Sequence, residues 1–283
     1  VEPTDSLEPQ DRLAVIELAA AAEAADGTPP LNEEATLALM RDDALHWLAR
    51  DGDAVVGYAQ WQANNATGQL VVHPHHRRQR IGSSLLDGLR SRAKTRVWAF
   101  GTHAPARAFA AARGLAPVRG LTMMERVLAD ETAPAVPEGI TLRGFTDADA
   151  DAFLAVNAAA FVHHPEQGHF SAADLAARQA EDWWEPEGLI LAVEGDEVLG
   201  FHWTKRHDAT TGEVYVLGVD PRASGKGLGK VLLQAGLSRL ADGGATRVIL
   251  YVEADNEPAL ALYRRAGFEV VHTDTLYGPT TSS

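Results

Sequence analysis

The sequence predicts an α/β fold made of two tandem copies of one unit, each a mixed central sheet flanked by helices. Three observations carry this. Apolar strand, turn-rich loop and amphipathic helix follow one another at residues 214–240, and the same succession recurs at 69–86. The two passages share their internal spacing: Pro74 to Gly82 matches Pro221 to Gly229, and the same shift carries Val72 onto Val219 and Leu85-Leu86 onto Leu232-Leu233. Between them, residues 129–139 hold two prolines and no hydrophobic period, which marks a linker. The expected domains are therefore 1–130, a linker at 131–139, and 140–283.

The elements follow in chain order. Residues 13–24 are alanine-rich and read as a helix after the polar Asp11. Asp26 to Pro30 is a loop, and Asn32 caps a second helix carrying Glu33, Glu34, Leu37 and Met40. Residues 45–49 and 54–61 read as two strands joined at Asp51-Gly52-Asp53, and 69–72 as a third. The hairpin recurs in the second copy, where Leu199-Gly200-Phe201 matches Val56-Gly57-Tyr58. Ile140 begins that copy as a strand, and 147–161 is its first helix. In the strand 214–219, Gly218 predicts a bulge or a close backbone approach. Residues 247–253 form a further strand, and Pro258 suits the first turn of the helix after it.

Composition narrows the function. The chain has 283 residues, 46% apolar and 23% charged, as in an ordinary globular protein. A net charge of −14 argues against a nucleic-acid partner, which calls for a basic face. Cysteine is absent, so no disulfide scaffold, thiolate nucleophile or cysteine metal site is expected. No apolar run reaches the roughly 18 residues of a membrane span, the polar start is no signal peptide, and a cytoplasmic location is the expectation. Two fused copies supply a pseudo-dimer internally, so a monomer is expected.

Gly225, Gly227 and Gly229 stand between a strand and a helix, an arrangement that gathers unpaired N–H groups around a phosphate. The P-loop pattern fails, because Ser224 holds its first glycine position and Val231 follows Lys230. The dinucleotide G-x-G-x-x-G spacing fails as well. A glycine-rich turn that binds nothing remains the plain alternative. The stretch Val219 to Gly229 does resemble the pyrophosphate loop of the GNAT acyl-CoA N-acetyltransferases, with Ser224 where that family has Gln or Arg. A second GNAT signature, N-x-x-A-x-x-x-Y-x-x-x-G-F, runs from Asn256 to Phe268. It implies that Asn256 bonds the pantetheine and that the Tyr263 hydroxyl reaches the thioester sulfur. In the first copy, aligning Gly114 with Gly267 puts His103 at the place of Asn256 and Ala110 at that of Tyr263. The loop spacing sets Ala66 opposite Glu213. The first copy thus lacks acid and base, and is expected not to catalyse.

Acetyl transfer from a thioester to an amine needs a base for the ammonium proton, donors for the oxyanion and an acid for the thiolate. Glu213, at the start of the central strand, suits the first role, the amides near Leu217 or Val219 the second, and Tyr263 the third. Each has a bland reading as well: a solvent-facing strand-end glutamate, a core tyrosine. His163, His164, Glu166 and His169 suggest a metal only superficially, since Pro165 and Gly168 make them a loop without a helical histidine pair. No metal is expected.

The whole chain resembles the mycothiol synthase family of actinomycetes, through the tandem repeat, the stretch 160–168, Gly200 to Lys205 and Gly212 to Pro221. That family acetylates the cysteinyl amine of cysteinyl-glucosaminyl-inositol with acetyl-CoA. The resemblance implies Glu213 as base and Tyr263 as acid. It implies acetyl-CoA held by Leu217, Gly218, Val219, by Ser224, Gly225, Lys226, Gly227, Leu228, Gly229, Lys230, and by Asn256, Glu257, Pro258, Ala259, Leu260, Ala261. It places Glu33, Glu166, Lys205, Glu213 and Tyr251 on the acceptor. It also implies a second, non-catalytic CoA site at Leu70, Val71, Val72, Arg78, Gln79, Arg80, Ile81, Gly82 and Ser83. The residues alone leave open a GNAT for another amine, or a non-catalytic acyl-CoA sensor.

Overall fold

The computed structural model describes residues 2–41, 44–63, 65–92, 95–129, 131–162, 164 and 167–280. They divide into two compact units: Val1–Thr122 with Glu253–Asp255 and His272–Ser283, and Met123–Val252 with Asn256–Val271.

In the first unit, α1 (Pro9–Asp26) buries Val15, Leu18 and Ala22 and ends at Gly27, whose left-handed backbone (φ 72) terminates the helix. It starts before the expected residue 13 because Pro9 is well suited to a first turn. Helix α2 (Glu33–Ala38) is capped by Asn32, which accepts the Ala35 N–H at 2.9 Å. Strands β1 (Ala44–Asp51), β2 (Ala54–Gln62) and β3 (Thr67–Val72) form an antiparallel series. Helix α3 (Ile81–Arg90) packs Leu85, Leu86 and Leu89 against Trp47 and Ala59. Strand β4 (Arg96–Ala99) runs parallel to β3 through the pairs Thr67↔Arg96 and Gly68↔Val97, and α4 (Ala104–Ala112) follows. Strand β5 (Leu115–Val127) supplies residues 115–122. Pro117 and Gly120 interrupt its pattern, so the sequence does not announce it.

In the second unit, β6 (Ile140–Gly144) begins where the sequence predicts. Asp149 secures the turn before α5 (Ala150–Ala160) by accepting the Thr146 N–H and a two-pronged Arg143 pair at 2.6 and 2.7 Å. Helix α6 (Ala172–Gln179), β7 (Leu189–Glu194), β8 (Glu197–Arg206) and β9 (Thr211–Val219) follow. Then come α7 (Leu228–Asp242), β10 (Arg247–Glu253), α8 (Glu257–Arg265) and β11 (Glu269–Pro279). The sheet order β10-β9-β8-β7-β6 joins one parallel pair to an antiparallel meander. One face is covered by α5 and α6 through an aromatic core of Phe153, Phe201 and Trp203. The other packs Val214, Val248 and Leu250 with Leu233, Leu237 and Leu240 of α7 and Leu260 of α8. The last strand of the chain returns to the first unit: residues 272–279 lie there, and Thr275 to Tyr277 pair antiparallel with β4.

Candidate active site

The site begins where two strands part. The parallel ladder of β9 and β10 runs from Thr211↔Arg247 to Val214↔Leu250, and past that rung β9 continues to Val219 paired with β8 only. Asp220 donates its N–H to Leu199 O at 2.8 Å. Amides alternate in direction along an antiparallel strand, so those of Gly218 and Val216 also face β8. The amides of Leu217 and Val219 therefore point into the gap, suitably placed for the oxygen of a thioester.

Glu213 occupies the last rung but one before the gap and is 8% exposed. Its Oε2 lies 2.7 Å from His207 Nε2, a partner that no sequence pattern announces. Opposite it across β8 stands Lys205, equally buried. The Lys205 Nζ sits over the Trp183 ring at 5.0 Å and the Tyr215 ring at 5.6 Å, and those two rings are 5.1 Å apart. Trp183 and Tyr215 thus belong to the site although neither is expected there. Tyr251 shares this face, because Ile249 pairs with Glu213 and side chains two apart in a strand point the same way. Glu166 and His163 lie outside the described residues. His164 accepts the Gln167 N–H at Nδ1, 2.9 Å away. Glu33 begins α2 of the first unit and is exposed.

The expected bulge is displaced. Register shifts between Trp203 and Thr204, which pair with Val216 and Val214, so Tyr215 is the extra residue and not Gly218. Gly218 is crowded by side chains and not by another backbone: a Cβ built there would stand 2.8 Å from the Phe201 ring and 3.1 Å from the Phe161 ring.

Past β9, Asp220 caps a short turn by accepting the Arg222 N–H, and the loop Ser224 to Lys230 enters α7. Gly225 (φ 85) and Gly227 (φ 74) adopt the left-handed backbone that glycine makes inexpensive. Among the described residues, no protein group accepts the N–H of Gly225, Gly227, Leu228 or Gly229; intrahelical bonding resumes with Lys230 and Val231 to Gly227 O. Four free amides at a helix N-terminus suit a pyrophosphate. Lys226 is drawn aside by Glu194 at 2.9 Å. Asn256 caps α8 by accepting the Ala259 N–H, which leaves its side-chain amide as a donor, and residues 257–261 form the first turns of that helix. Two turns on, Tyr263 packs against Phe268 at 5.7 Å and is 8% exposed. Burial pushes its phenol up, so the hydroxyl stays protonated, and no protein group among the described residues bonds it.

The first unit repeats the loop geometry of this plan without its carboxylate and phenol. His73 caps its loop by accepting the His75 N–H, as Asp220 does, and Ser83 and Ser84 donate to Arg80 O as Lys230 and Val231 donate to Gly227 O. Arg78 (φ 65) and Arg80 (φ 66) hold the left-handed conformations of Gly225 and Gly227 without being glycine. A cavity of about 720 Å³ opens beside the loop, lined by Leu70, Val71, Val72, Arg78, Arg80, Gly82 and Ser83, though not by Gln79 or Ile81. The bulge corrects one alignment. Because β3 has no residue equivalent to Tyr215, the pair Gln62↔Thr67 matches Lys205↔Glu213, so the counterpart of Glu213 is Thr67 and not Ala66. Gln60 bonds Ala35 O and the Tyr58 hydroxyl, and Asn32 and Gln69 bond each other, which fills this face with packed amides. Ala110 stands where α8 has Tyr263.

A parted parallel pair, free amides at a helix mouth and a buried carboxylate beside the gap suit the chemistry of an acyl-CoA-dependent transferase. Residues 158–268 match the Acetyltransferase (GNAT) family and residues 42–114 an Acetyltransferase (GNAT) domain. The mycothiol acetyltransferase of Thermomonospora curvata is 47% identical over 272 residues, covering 93% of this chain and 92% of that one. That of Catenulispora acidiphila is 46% identical over 290 residues, covering 92% of each. A GCN5-related N-acetyltransferase from Sphaerobacter thermophilus superposes with a TM-score of 0.77 at 26% identity, over 96% of this chain and 93% of that one. A tandem GNAT protein of the clavulanic acid pathway, 22% identical, shares the fold with a TM-score of 0.73, over 98% of this chain and 96% of its own. The chain belongs to the GNAT family of acetyltransferases and, within it, to the mycothiol acetyltransferases.

Proposed function

We propose that this protein transfers the acetyl group of acetyl-CoA to the cysteinyl amine of cysteinyl-glucosaminyl-inositol, giving mycothiol and CoA. The parting of β9 from β10 just beyond Glu213 carries the chemistry; the similarity to mycothiol acetyltransferases along nearly the whole chain supports the acceptor.

Acetyl-CoA lies with its pyrophosphate on the loop Ser224 to Lys230, its pantetheine beside Asn256 to Ala261, and its thioester against Leu217 to Val219. The acceptor occupies the face of Lys205, Glu213 and Tyr251. Glu213 takes the ammonium proton, directly or through a water. The freed nitrogen attacks the carbonyl carbon, the C–N bond forms, and the amides of Leu217 and Val219 stabilise the oxyanion. Collapse breaks the C–S bond as Tyr263 protonates the sulfur. The surplus proton on nitrogen returns through water to the tyrosinate and Glu213 gives its proton to solvent, leaving amide and thiol. The first unit binds a second CoA without turnover, since Thr67 and Ala110 supply neither base nor acid.

The test is thiol release from acetyl-CoA by the purified protein, with cysteinyl-glucosaminyl-inositol beside polyamines, aminoglycosides and peptides. Rapid turnover of the first alone is expected. Turnover confined to another amine removes the acceptor assignment. CoA binding without turnover of any amine removes the catalytic one.

A further inference from the structure

The geometry points to Phe161 as the residue that limits the length of the transferred acyl group. The inference rests on the thioester lying along Leu217 to Val219. Between the two amides that face the gap sits Gly218, and two rings press on its outer side: the Cβ it lacks would be 2.8 Å from Phe201 Cε1 and 3.1 Å from Phe161 Cε2. That side is the acceptor face, because Gly218 pairs with Phe201, and Phe201 shares its strand face with Trp203 and Lys205.

The two rings differ in what they can do. Phe201 is fully buried and packs edge-on against Phe153 at 4.7 Å, so it belongs to the core. Phe161 is half-buried at the end of α5 and stands at the rim of that core. It is also held in place. Its carbonyl accepts the His164 N–H at 2.8 Å, and its ring meets the His164 ring edge-on at 6.0 Å. One turn earlier on α5, the fully buried Asn157 trades two hydrogen bonds of 2.8 Å with Gln167. The His164 ring on one side and the Gly218 backbone on the other leave the Phe161 ring packed between them.

An acyl chain whose oxygen bonds the amides on either side of Gly218 ends against the Phe161 edge. Propionyl extends it by a further carbon–carbon bond, about 1.5 Å. One methylene in a closed apolar pocket changes specificity by roughly 10–200-fold. The wild-type protein should therefore prefer acetyl-CoA to propionyl-CoA by about tenfold or more.

The experiment compares kcat/KM for acetyl-CoA and propionyl-CoA, with cysteinyl-glucosaminyl-inositol as acceptor, in wild type, Phe161→Leu and Phe161→Ala. The preference should shrink stepwise, by about tenfold in total for Phe161→Ala. Loss of general packing would lower both substrates alike, so an unchanged ratio overturns the assignment. Phe161→Leu retains enough apolar volume to carry the test if the alanine variant does not fold. A wild type that uses propionyl-CoA as well as acetyl-CoA also overturns it. A wild type that turns over neither thioester overturns the underlying placement of the thioester instead.

Discussion

Replacing Glu213 by Gln isolates the base. Glutamine has nearly the same volume and its oxygen can still accept from His207 Nε2, now 2.7 Å from Oε2, so the buried site keeps its shape. A hydrogen bond to a charged group contributes about 1.5–3 kcal/mol and one between neutral groups about 0.5–1.5, so the fold should lose only about 1 kcal/mol. General-base catalysis is worth roughly 10²–10⁴-fold, about 3–5 kcal/mol in the barrier. The variant should lose at least a hundredfold in kcat at neutral pH. Its affinity for CoA should hold, because the free amides of Gly225, Gly227, Leu228 and Gly229 belong to a different element. The deficit should narrow as pH rises past about 8, where an α-amine sheds its proton unaided. Thiol release against pH and calorimetric titration with CoA read both quantities. Turnover within threefold of wild type at pH 7 would refute the reasoning, and so would a deficit that does not change with pH.

Other substitutions probe the remaining parts. Tyr263→Phe removes one hydroxyl from a packed helix face and should lower kcat by about a hundredfold with little change in KM for acetyl-CoA; unchanged kcat removes Tyr263 as acid. Arg80→Gly relieves a left-handed arginine and removes a cation from the 720 Å³ cavity, so CoA binding to the first unit should weaken with no fall in Tm, and a fall of several degrees would contradict this. Asp149→Asn should cost about 1–2 kcal/mol, discounted because the Arg143 side chain is 40% exposed. The Arg143 pair and then Thr146 hold the Asp149 carboxyl well below its ordinary range. A depressed folded value adds stability above the unfolded value of about 3.9, and that stability is lost as pH falls through the folded one, so urea curves of variant and wild type should converge below about pH 4.

Much of this was legible in the sequence because spacing survives where residue identity does not. Pro74 to Gly82 and Pro221 to Gly229 mark both loops, and Arg80 in place of glycine conceals a backbone that kept its conformation. Tyr215 shows the limit. Spacing counts residues, while a ladder counts partners, so a one-residue bulge moves the counterpart of Glu213 from Ala66 to Thr67. The Trp183–Lys205–Tyr215 stack joins three separated segments, and the Glu213–His207 bond spans a hairpin; neither leaves a motif. Strand β5 stayed hidden behind Pro117 and Gly120, which in isolation read as breakers.

Residues 272–279 complete the first unit from the far end of the chain. During synthesis β4 stays without that neighbour until the second unit has emerged in full, so the amino-terminal half cannot reach its final fold in order of translation. The return of this strand makes the two halves mature together, and deleting residues 272–279 should injure the half that was made first.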